Sequence, residues 1–271
     1  MLYKIRGKTR LFSHYGKMKQ YGLIGYPLGH SFSKRFFTEK FSREGIDAVY
    51  DNYELPDVNV LLDVVENHPD LEGLNCTIPH KQAVMSLLDE ISPEASKIGA
   101  VNVIKILREE KSSTADARGY KLIGYNSDII GFTESIKPLL RPCHKKALVL
   151  GTGGAAQAIT VALDNLGIEW KYVSRTSAKD RFSYDQITPD VLREYLVVIN
   201  CSPVGMFPHV DEAPQLPYDA LTANHLLYDL VYNPLETKFL QCGAQAGAVV
   251  KNGLEMLELQ ALASWDIWTS K

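Results

Sequence analysis

Residues 145–166 read KKALVLGTGGAAQAITVALDNL, a short apolar strand, a glycine-rich turn and an amphipathic helix in immediate succession. Gly151 permits the tight turn out of the strand, and Gly153 removes the side chain that would collide with a pyrophosphate. Gly154 and Ala155 continue the small-residue turn, and Ala156 takes the third, helix-packing position of the G-x-G-x-x-G/A pattern. The first free N–H groups of the new helix then face an anion with the favourable end of the dipole. Ile159, Ala162, Leu163 and Leu166 give that helix one apolar face, and Gly167 ends it. A glycine-rich turn alone is a weak signal; the strand before it and the helix after it are what point to a dinucleotide.

About twenty residues further along, such a unit selects its nucleotide. Here the strand Glu169–Val173 runs into Ser174-Arg175-Thr176-Ser177. An NAD site usually presents Asp or Glu at this strand end for the ribose hydroxyls. This chain presents a guanidinium and hydroxyls, which suit the 2′-phosphate of NADP. On these residues alone, Arg175 is either that ligand or an ordinary surface arginine.

Outward from the glycine loop the pattern alternates strand and helix in both directions. Upstream, strands are expected at 21–25, 48–54 and 71–77, with helices over 33–44, 57–66 and 81–88. In the second of these helices Val60, Leu61, Val64 and Val65 share one side. Residues 101–106 and 120–123 read as a hairpin joined by a polar stretch, and a helix follows over 128–140. Downstream come strands at 196–200, 226–230 and 248–250, then a closing helix over 254–268. Pro203, Pro208, Pro214 and Pro217 mark a loop-heavy connection. The nucleotide unit is thus central, and the closing helix is expected to pack back on the first unit, leaving a cleft between the two for substrate.

The bulk numbers agree with an ordinary α/β protein. At 271 residues, 45% hydrophobic and 23% charged, the chain can bury a real core and most naturally forms two domains. A net charge of −3 gives no electrostatic footprint for nucleic acid. Four cysteines without CxxC spacing suggest reduced thiols and a cytoplasmic setting. None of the seven histidines forms an HxxxH or HExxH pair, so a metal is not expected. No apolar run has the length of a membrane span. Residues 1–17 are basic but lack a signal peptide's apolar core, and with Met18 as the natural start they read as an extension.

Three clusters in the first unit carry candidate chemistry. His30-Ser31-Phe32-Ser33 follows the first strand, where two hydroxyls near a helix N-terminus can donate to an anion or simply cap the helix. In Asn75-Cys76-Thr77-Ile78-Pro79-His80-Lys81, strand alternation puts Asn75 and Thr77 on one side, at the sheet edge where open α/β folds bind ligands. Lys81 there is either a solvated surface residue or a proton-transfer group, and His80 is either an acid or a packed side chain. Asp128, opening the helix after Gly124-Tyr125-Asn126-Ser127, is well suited as an N-cap or first-turn acid. Asn102 is a polar residue at the start of an otherwise apolar strand.

Taken in order, these motifs resemble the shikimate dehydrogenase family along nearly the whole chain from Met18. The family's G-x-P-x-x-H-S-x-S opening is matched by Gly25, Pro27, His30, Ser31 and Ser33, and its N-[VI]-T-[VI]-P-x-K segment by Asn75, Thr77, Pro79 and Lys81. Gly99-Ala100-Val101-Asn102 and Gly124-Tyr125-Asn126-Ser127-Asp128 correspond to A-G-A-V-N and G-x-N-T-D. Ser174-Arg175-Thr176 stands for N-R-T, and Asn200-Cys201-Ser202-Pro203-Val204-Gly205-Met206 for N-x-[TS]-P-x-G-M. The segments 228–234 with Thr237, and 253–261, match the last two motifs.

The resemblance implies a Rossmann-type NADP-binding domain (125–251) and an N-terminal α/β substrate domain completed by the C-terminal helix (18–124 and 252–271). It implies reversible NADPH-dependent reduction of 3-dehydroshikimate to shikimate, a step of the chorismate pathway in aromatic amino acid biosynthesis. Carried over by position, Ser31 and Ser33 bind the substrate carboxylate, and Thr77, Asn102, Asp128 and Gln260 hold ring hydroxyls. Lys81 stands beside the reacting oxygen and Tyr232 near substrate and nicotinamide. Lys81 and Asp128 are the catalytic pair. Gly151, Gly153, Gly154, Ala155, Ser174, Arg175, Thr176, Met206 and Gly253 form the cofactor set. A small-molecule substrate is the partner, with no nucleic acid or membrane, and the expected state is a monomer or homodimer.

Four positions depart from the family pattern: Lys34 for Pro, Ser174 for Asn, Ser127 for Thr and Cys76 for Val or Ile. Lys34 is expected to alter the carboxylate pocket, and Ser174 to bear on NADP preference. Two other readings remain open. One is a quinate/shikimate dehydrogenase that also uses NAD; the other is a non-catalytic nucleotide-binding regulator on the same scaffold.

Overall fold

The computed structural model describes residues 18–29, 32–108 and 118–270. Its first half is built on β1 (Lys19–Gly25), α1 (Phe32–Glu44), β2 (Ala48–Glu54), α2 (Leu61–Asn67), β3 (Leu71–Cys76) and the short α3 (His80–Ala83). After these come β4 (Glu90–Ile91), α4 (Pro93–Ile98), β5 (Val103–Arg108) and β6 (Tyr120–Tyr125). They form one six-stranded mixed sheet in the order β2-β1-β3-β5-β6-β4. β1 pairs in parallel with β2 and β3, while β5 lies antiparallel to β3 and β6.

The second half begins with α5 (Asp128–Ile136) and continues through β7 (Lys146–Leu150), α6 (Gly154–Asn165), β8 (Glu169–Ser174) and β9 (Arg181–Ser183). It then runs through α7 (Pro189–Glu194), β10 (Val197–Asn200), β11 (Leu226–Asp229), α8 (Lys238–Gln245), β12 (Val249–Lys251) and α9 (Leu254–Thr269). Its six strands are all parallel, in the order β9-β8-β7-β10-β11-β12. In order of appearance that is 3-2-1-4-5-6, the Rossmann arrangement, whose switch point lies between β7 and β10. The glycine loop leaves β7 at that point.

α9 does pack back onto the first sheet. Trp268 joins Tyr21, Phe37, Phe41 and Tyr50 in one apolar cluster, and its indole N–H donates to the Ile104 carbonyl at 3.1 Å. Two glycines let α9 come close, one on the first sheet and one on α5. A Cβ at Gly73 would overlap the Trp268 ring, and one at Gly131 of α5 would press on the Met256 carbonyl of α9. Burial of large apolar side chains of this kind contributes about 1.5–3 kcal/mol each.

Several local expectations need correction. The helix expected over 57–66 starts as a 3₁₀ turn, Val58–Val60, with Asp57 accepting from the Asn59 N–H. Val60 is consequently exposed, while Leu61 and Val65 face the core. The helices from 81 and 128 likewise finish in 3₁₀ turns, Val84–Leu87 and Lys137–Leu139. β4, α4, β9, α7 and α8 had no counterpart in the sequence reading. Residues 109–117 of the polar joint, the extension 1–17, and His30 and Ser31 lie outside the described residues. Among the described residues no helix is long and apolar enough to cross a membrane, and no group of three or more His, Cys, Asp or Glu could hold a metal ion.

Candidate active site

A cavity of about 310 Å³ opens where the C-terminal edge of the first sheet meets the start of α5, α9 and the loop after β11. Its wall includes Ser33, Asn75, Cys76, Thr77, Lys81, Asn102, Asp128, Tyr232 and Gln260. Seven of the eight substrate-site residues expected from the sequence are therefore brought together. The eighth, Ser31, lies outside the described residues.

Lys81 stands just inside α3, where its Nζ donates to Asp128 Oδ2 at 2.7 Å. The Lys81 side chain is 26% exposed and the Asp128 side chain 15%, so the pair is sheltered yet open to a ligand. Both main chains are anchored. The Lys81 carbonyl accepts from the Val101 N–H at 2.7 Å, and the Asp128 N–H donates to Asn126 Oδ1 at 3.0 Å. Asp128 thus opens its helix as expected, but its carboxylate turns to the lysine rather than to the helix amides. Cys76 beside them is buried, and burial pushes its thiol up to about 12 despite the opposing charge of Lys81, so it stays neutral. His80 is no acid for this cavity. Its ring is buried, and its Nε2 bonds the Leu55 carbonyl at 2.6 Å, which fixes that nitrogen as the donor.

The carboxylate pocket that Lys34 is expected to alter includes Ser31, which lies outside the described residues. The Lys34 ammonium reaches Asp51 at 2.9 Å and lines a separate, outer cavity of about 770 Å³. Phe32 and Tyr232 line both cavities, with ring centroids 6.4 Å apart.

The glycine loop suits a pyrophosphate. Gly151 has φ 105°, in the region that favours glycine, and its N–H donates to the Val173 carbonyl at 2.8 Å. A Cβ at Gly153 or Gly154 would meet open space, and Gly153, Gly154 and Ala155 are all exposed. No side chain among the described residues caps α6, so its first N–H groups face outward without a side-chain acceptor. Ala156 is fully buried, as the helix-packing position requires. At the end of β8, Arg175 and Thr176 are exposed. Ser174 is engaged within its own turn: its hydroxyl donates to the Thr176 carbonyl at 2.7 Å and faces the Thr176 N–H at 3.4 Å. Met206 is exposed in the loop after β10. Gly253 is buried, and a Cβ there would overlap the Leu230 carbonyl, so close packing of α9 against the end of β11 accounts for it.

Sequence reasoning missed the acid that shapes this side of the cleft. Asp229, fully buried at the end of β11, accepts from Asn200 Nδ2 (3.0 Å), the Val231 N–H (3.0 Å) and Thr237 Oγ (2.6 Å). Asn200 in turn holds Ser202 and the Val204 carbonyl, so one carboxylate braces the loops after β10 and β11. Burial pushes this carboxyl up to about 6, against those three donors. The unfolded chain releases the proton near 3.8 and the folded chain only near 6, so between those values the native state binds more protons. The contribution of Asp229 to stability therefore falls as pH rises through that window and levels off above it. Asp229→Asn abolishes that slope: denaturant titrations should show the variant gaining on the wild type as pH rises from about 4 to about 6, and no further above that, on top of a pH-independent loss. A difference that does not change with pH would contradict it.

A family model described as the shikimate dehydrogenase substrate binding domain matches residues 23–104. The shikimate dehydrogenase (NADP(+)) of Bacillus cytotoxicus is 37% identical, the match covering 93% of each chain. The chain belongs to the shikimate dehydrogenase family. Among solved structures, shikimate 5-dehydrogenase from Thermus thermophilus in complex with NADP(H) and shikimate superposes with a TM-score of 0.78 at 30% identity, covering 94% of both chains. The Listeria monocytogenes shikimate 5-dehydrogenase in complex with shikimate and NAD gives 0.80 at 28% identity, covering 94% of this chain and 93% of that one. The family model ends at residue 104, and the 93% coverage of the Bacillus cytotoxicus relative carries the likeness on through the second half.

Proposed function

We propose that this chain is an NADP-dependent shikimate dehydrogenase, reversibly reducing 3-dehydroshikimate to shikimate in aromatic amino acid biosynthesis. One observation carries the chemistry: the Lys81–Asp128 pair, 2.7 Å apart, in the same small cavity as Ser33, Thr77, Asn102, Tyr232 and Gln260. The cavity suits a compact polyhydroxylated acid. Ser33 would meet the carboxylate together with Ser31, while Thr77, Asn102 and Gln260 would meet the ring oxygens.

The cofactor, when bound, supplies or accepts the hydride. The α6 N-terminus with Gly151, Gly153, Gly154 and Ala155 would hold its pyrophosphate, and Arg175 with Thr176 its 2′-phosphate. Reduction of a ketone leaves negative charge on oxygen, which needs a positive neighbour and then a proton. Lys81 provides both from one ammonium Nζ. Asp128 holds that ammonium in place and accepts from a substrate hydroxyl; in the oxidative direction Lys81 takes the proton back. Tyr232 closes the cavity beside Phe32. The unit boundaries 18–124 with 252–271, and 125–251, are supported by the two separate sheets and by the return of α9. Four free cysteines support a reducing, cytoplasmic setting, and a monomer or homodimer suffices for the reaction.

The test is an absorbance assay of NADP⁺ reduction with shikimate, run beside quinate and with NAD⁺ in place of NADP⁺. Turnover of shikimate with NADP⁺, well above the other combinations, is the expected result. No turnover of shikimate refutes the proposal, and equal use of quinate with either nucleotide replaces it with the broader quinate/shikimate reading.

A further inference from the structure

Buried polar groups behind the cavity wall join residues of the wall itself into one connected path. The Tyr50 phenol donates to Asn75 Oδ1 at 2.8 Å, and Asn75 Nδ2 donates to Ser264 Oγ at 2.9 Å and to the Asn102 carbonyl at 3.3 Å. Ser264 Oγ lies 3.2 Å from Ser127 Oγ, and Ser127 meets both Asn102 and Gln260. At the far end Ser33 faces the Tyr50 phenol, which burial otherwise pushes well up and keeps protonated. Tyr50, Asn75, Ser127 and Ser264 are 3%, 6%, 0% and 0% exposed. The path draws on β2, β3, the start of α5 and α9, elements far apart in sequence.

Counting protons gives the path a direction. Ser264 accepts from Asn75 Nδ2 and shares its one proton between the Gln260 carbonyl at 2.9 Å and Ser127 Oγ at 3.2 Å, which leaves the Ser127 proton free for Gln260 Oε1. Asn102 Oδ1 accepts from the Ser127 N–H at 2.7 Å, and its Nδ2 donates to Ser127 Oγ at 3.1 Å. Turning that amide over would set N–H against N–H. Gln260 Nε2 donates to the Leu257 carbonyl at 2.9 Å, leaving Oε1 toward the Ser127 hydroxyl at 3.3 Å. Each amide has two N–H bonds, and in the bonds above each uses one. The other is what each can offer a ligand in the cavity.

We infer that Ser264, with Tyr50 and Asn75 behind it, is a positioning unit that fixes the amide orientation of Asn102 and Gln260, so that this wall presents N–H donors to ring oxygens of the substrate. The inference rests on the shikimate reading above. Ser264 and Ser127 lie behind the wall, touch no substrate and act through the two amides, while Tyr50 reaches them through Asn75 and also faces Ser33. A buried network of this kind is worth more intact than its separate bonds, because breaking one member leaves others unsatisfied.

The experiment uses Ser264→Ala and Tyr50→Phe in the full chain, each alone and combined with Gln260→Ala. Each single variant should raise KM for shikimate about five- to tenfold, the effect of one hydrogen bond, with kcat and the Kd for NADP⁺ within about twofold of wild type. NADP⁺ binding is read separately, by fluorescence titration. In the Ser264→Ala background, Gln260→Ala should raise KM far less than it does alone, because the amide has already lost its orientation. An additive cycle, or a rise in KM matched by weakened NADP⁺ binding, would mark general loosening and overturn the inference. So would an unchanged KM in both single variants. Tyr50→Phe breaks the path from the other end and serves if Ser264→Ala does not fold. A wild-type chain without shikimate turnover fails the functional reading, and that control stands apart from the cycle.

Discussion

Lys81→Ala lowers shikimate turnover by about 10²-fold or more, the low end for lost acid–base catalysis, and leaves NADP⁺ binding intact. The loss should fall in kcat rather than in KM for the nucleotide, because in the proposed reaction the ammonium would meet the charge that develops on the substrate oxygen. Two effects add. The developing oxyanion loses its proton source, and Asp128, 15% exposed and bonded to Lys81 at 2.7 Å, is left without its cation. Lys81→Arg separates them. Arginine restores a positive partner for Asp128 but cannot be deprotonated near neutrality, so it should recover stability without recovering turnover. Steady-state kcat and KM for shikimate, with thermal unfolding of all three proteins, give the answer. Turnover unchanged in Lys81→Ala would remove the lysine from its role, and full activity in Lys81→Arg would reduce that role to charge alone.

What could be read from the residues alone divides along the range of the interactions. The glycine loop was legible because β7, its turn and α6 are contiguous, and their apolar spacing belongs to one local unit. α4, β9 and α7 were not, since three to six residues are too few for a periodic pattern to stand out. α8 had its cap in Thr237, but that hydroxyl also serves Asp229, a link only tertiary contact reveals. The substrate cavity follows the same division. Lys81 and Asp128 were each visible as motif residues, whereas their bond spans 47 positions and no spacing rule predicts it. Asn75 and Ser127 stood in quoted motifs without a role, and Ser264 and Tyr50 stood in none. Their contribution is to orient other side chains, and orientation leaves no signature in composition or periodicity. His80 shows the converse: beside Lys81 in sequence it looked available, and the fold turns it inward to Leu55.

Arg175→Ala should raise the Kd and KM for NADP⁺ by about 10- to 100-fold while leaving those for NAD⁺ nearly unchanged. A charge-assisted hydrogen bond to phosphate is worth about 1.5–3 kcal/mol, and each 1.4 kcal/mol is about tenfold in affinity. Arg175 sits exposed beyond the end of β8, on the same edge of the parallel sheet as the glycine loop. Ser174 stands where the family usually has Asn, and its hydroxyl is engaged with Thr176 in the turn that presents Arg175. On the proposed function, the selectivity of this chain should fall on the guanidinium and the Thr176 hydroxyl. Because the site is open to solvent, salt screens it: the preference for NADP⁺ over NAD⁺ should narrow as ionic strength rises, and Arg175→Ala should lose most of that salt dependence. Competition by adenosine 2′,5′-bisphosphate against AMP reads the same contact without turnover. Equal loss for both nucleotides in the variant would mean that Arg175 holds the loop and not the phosphate, and equal wild-type affinity for NADP⁺ and NAD⁺ would remove the claim altogether.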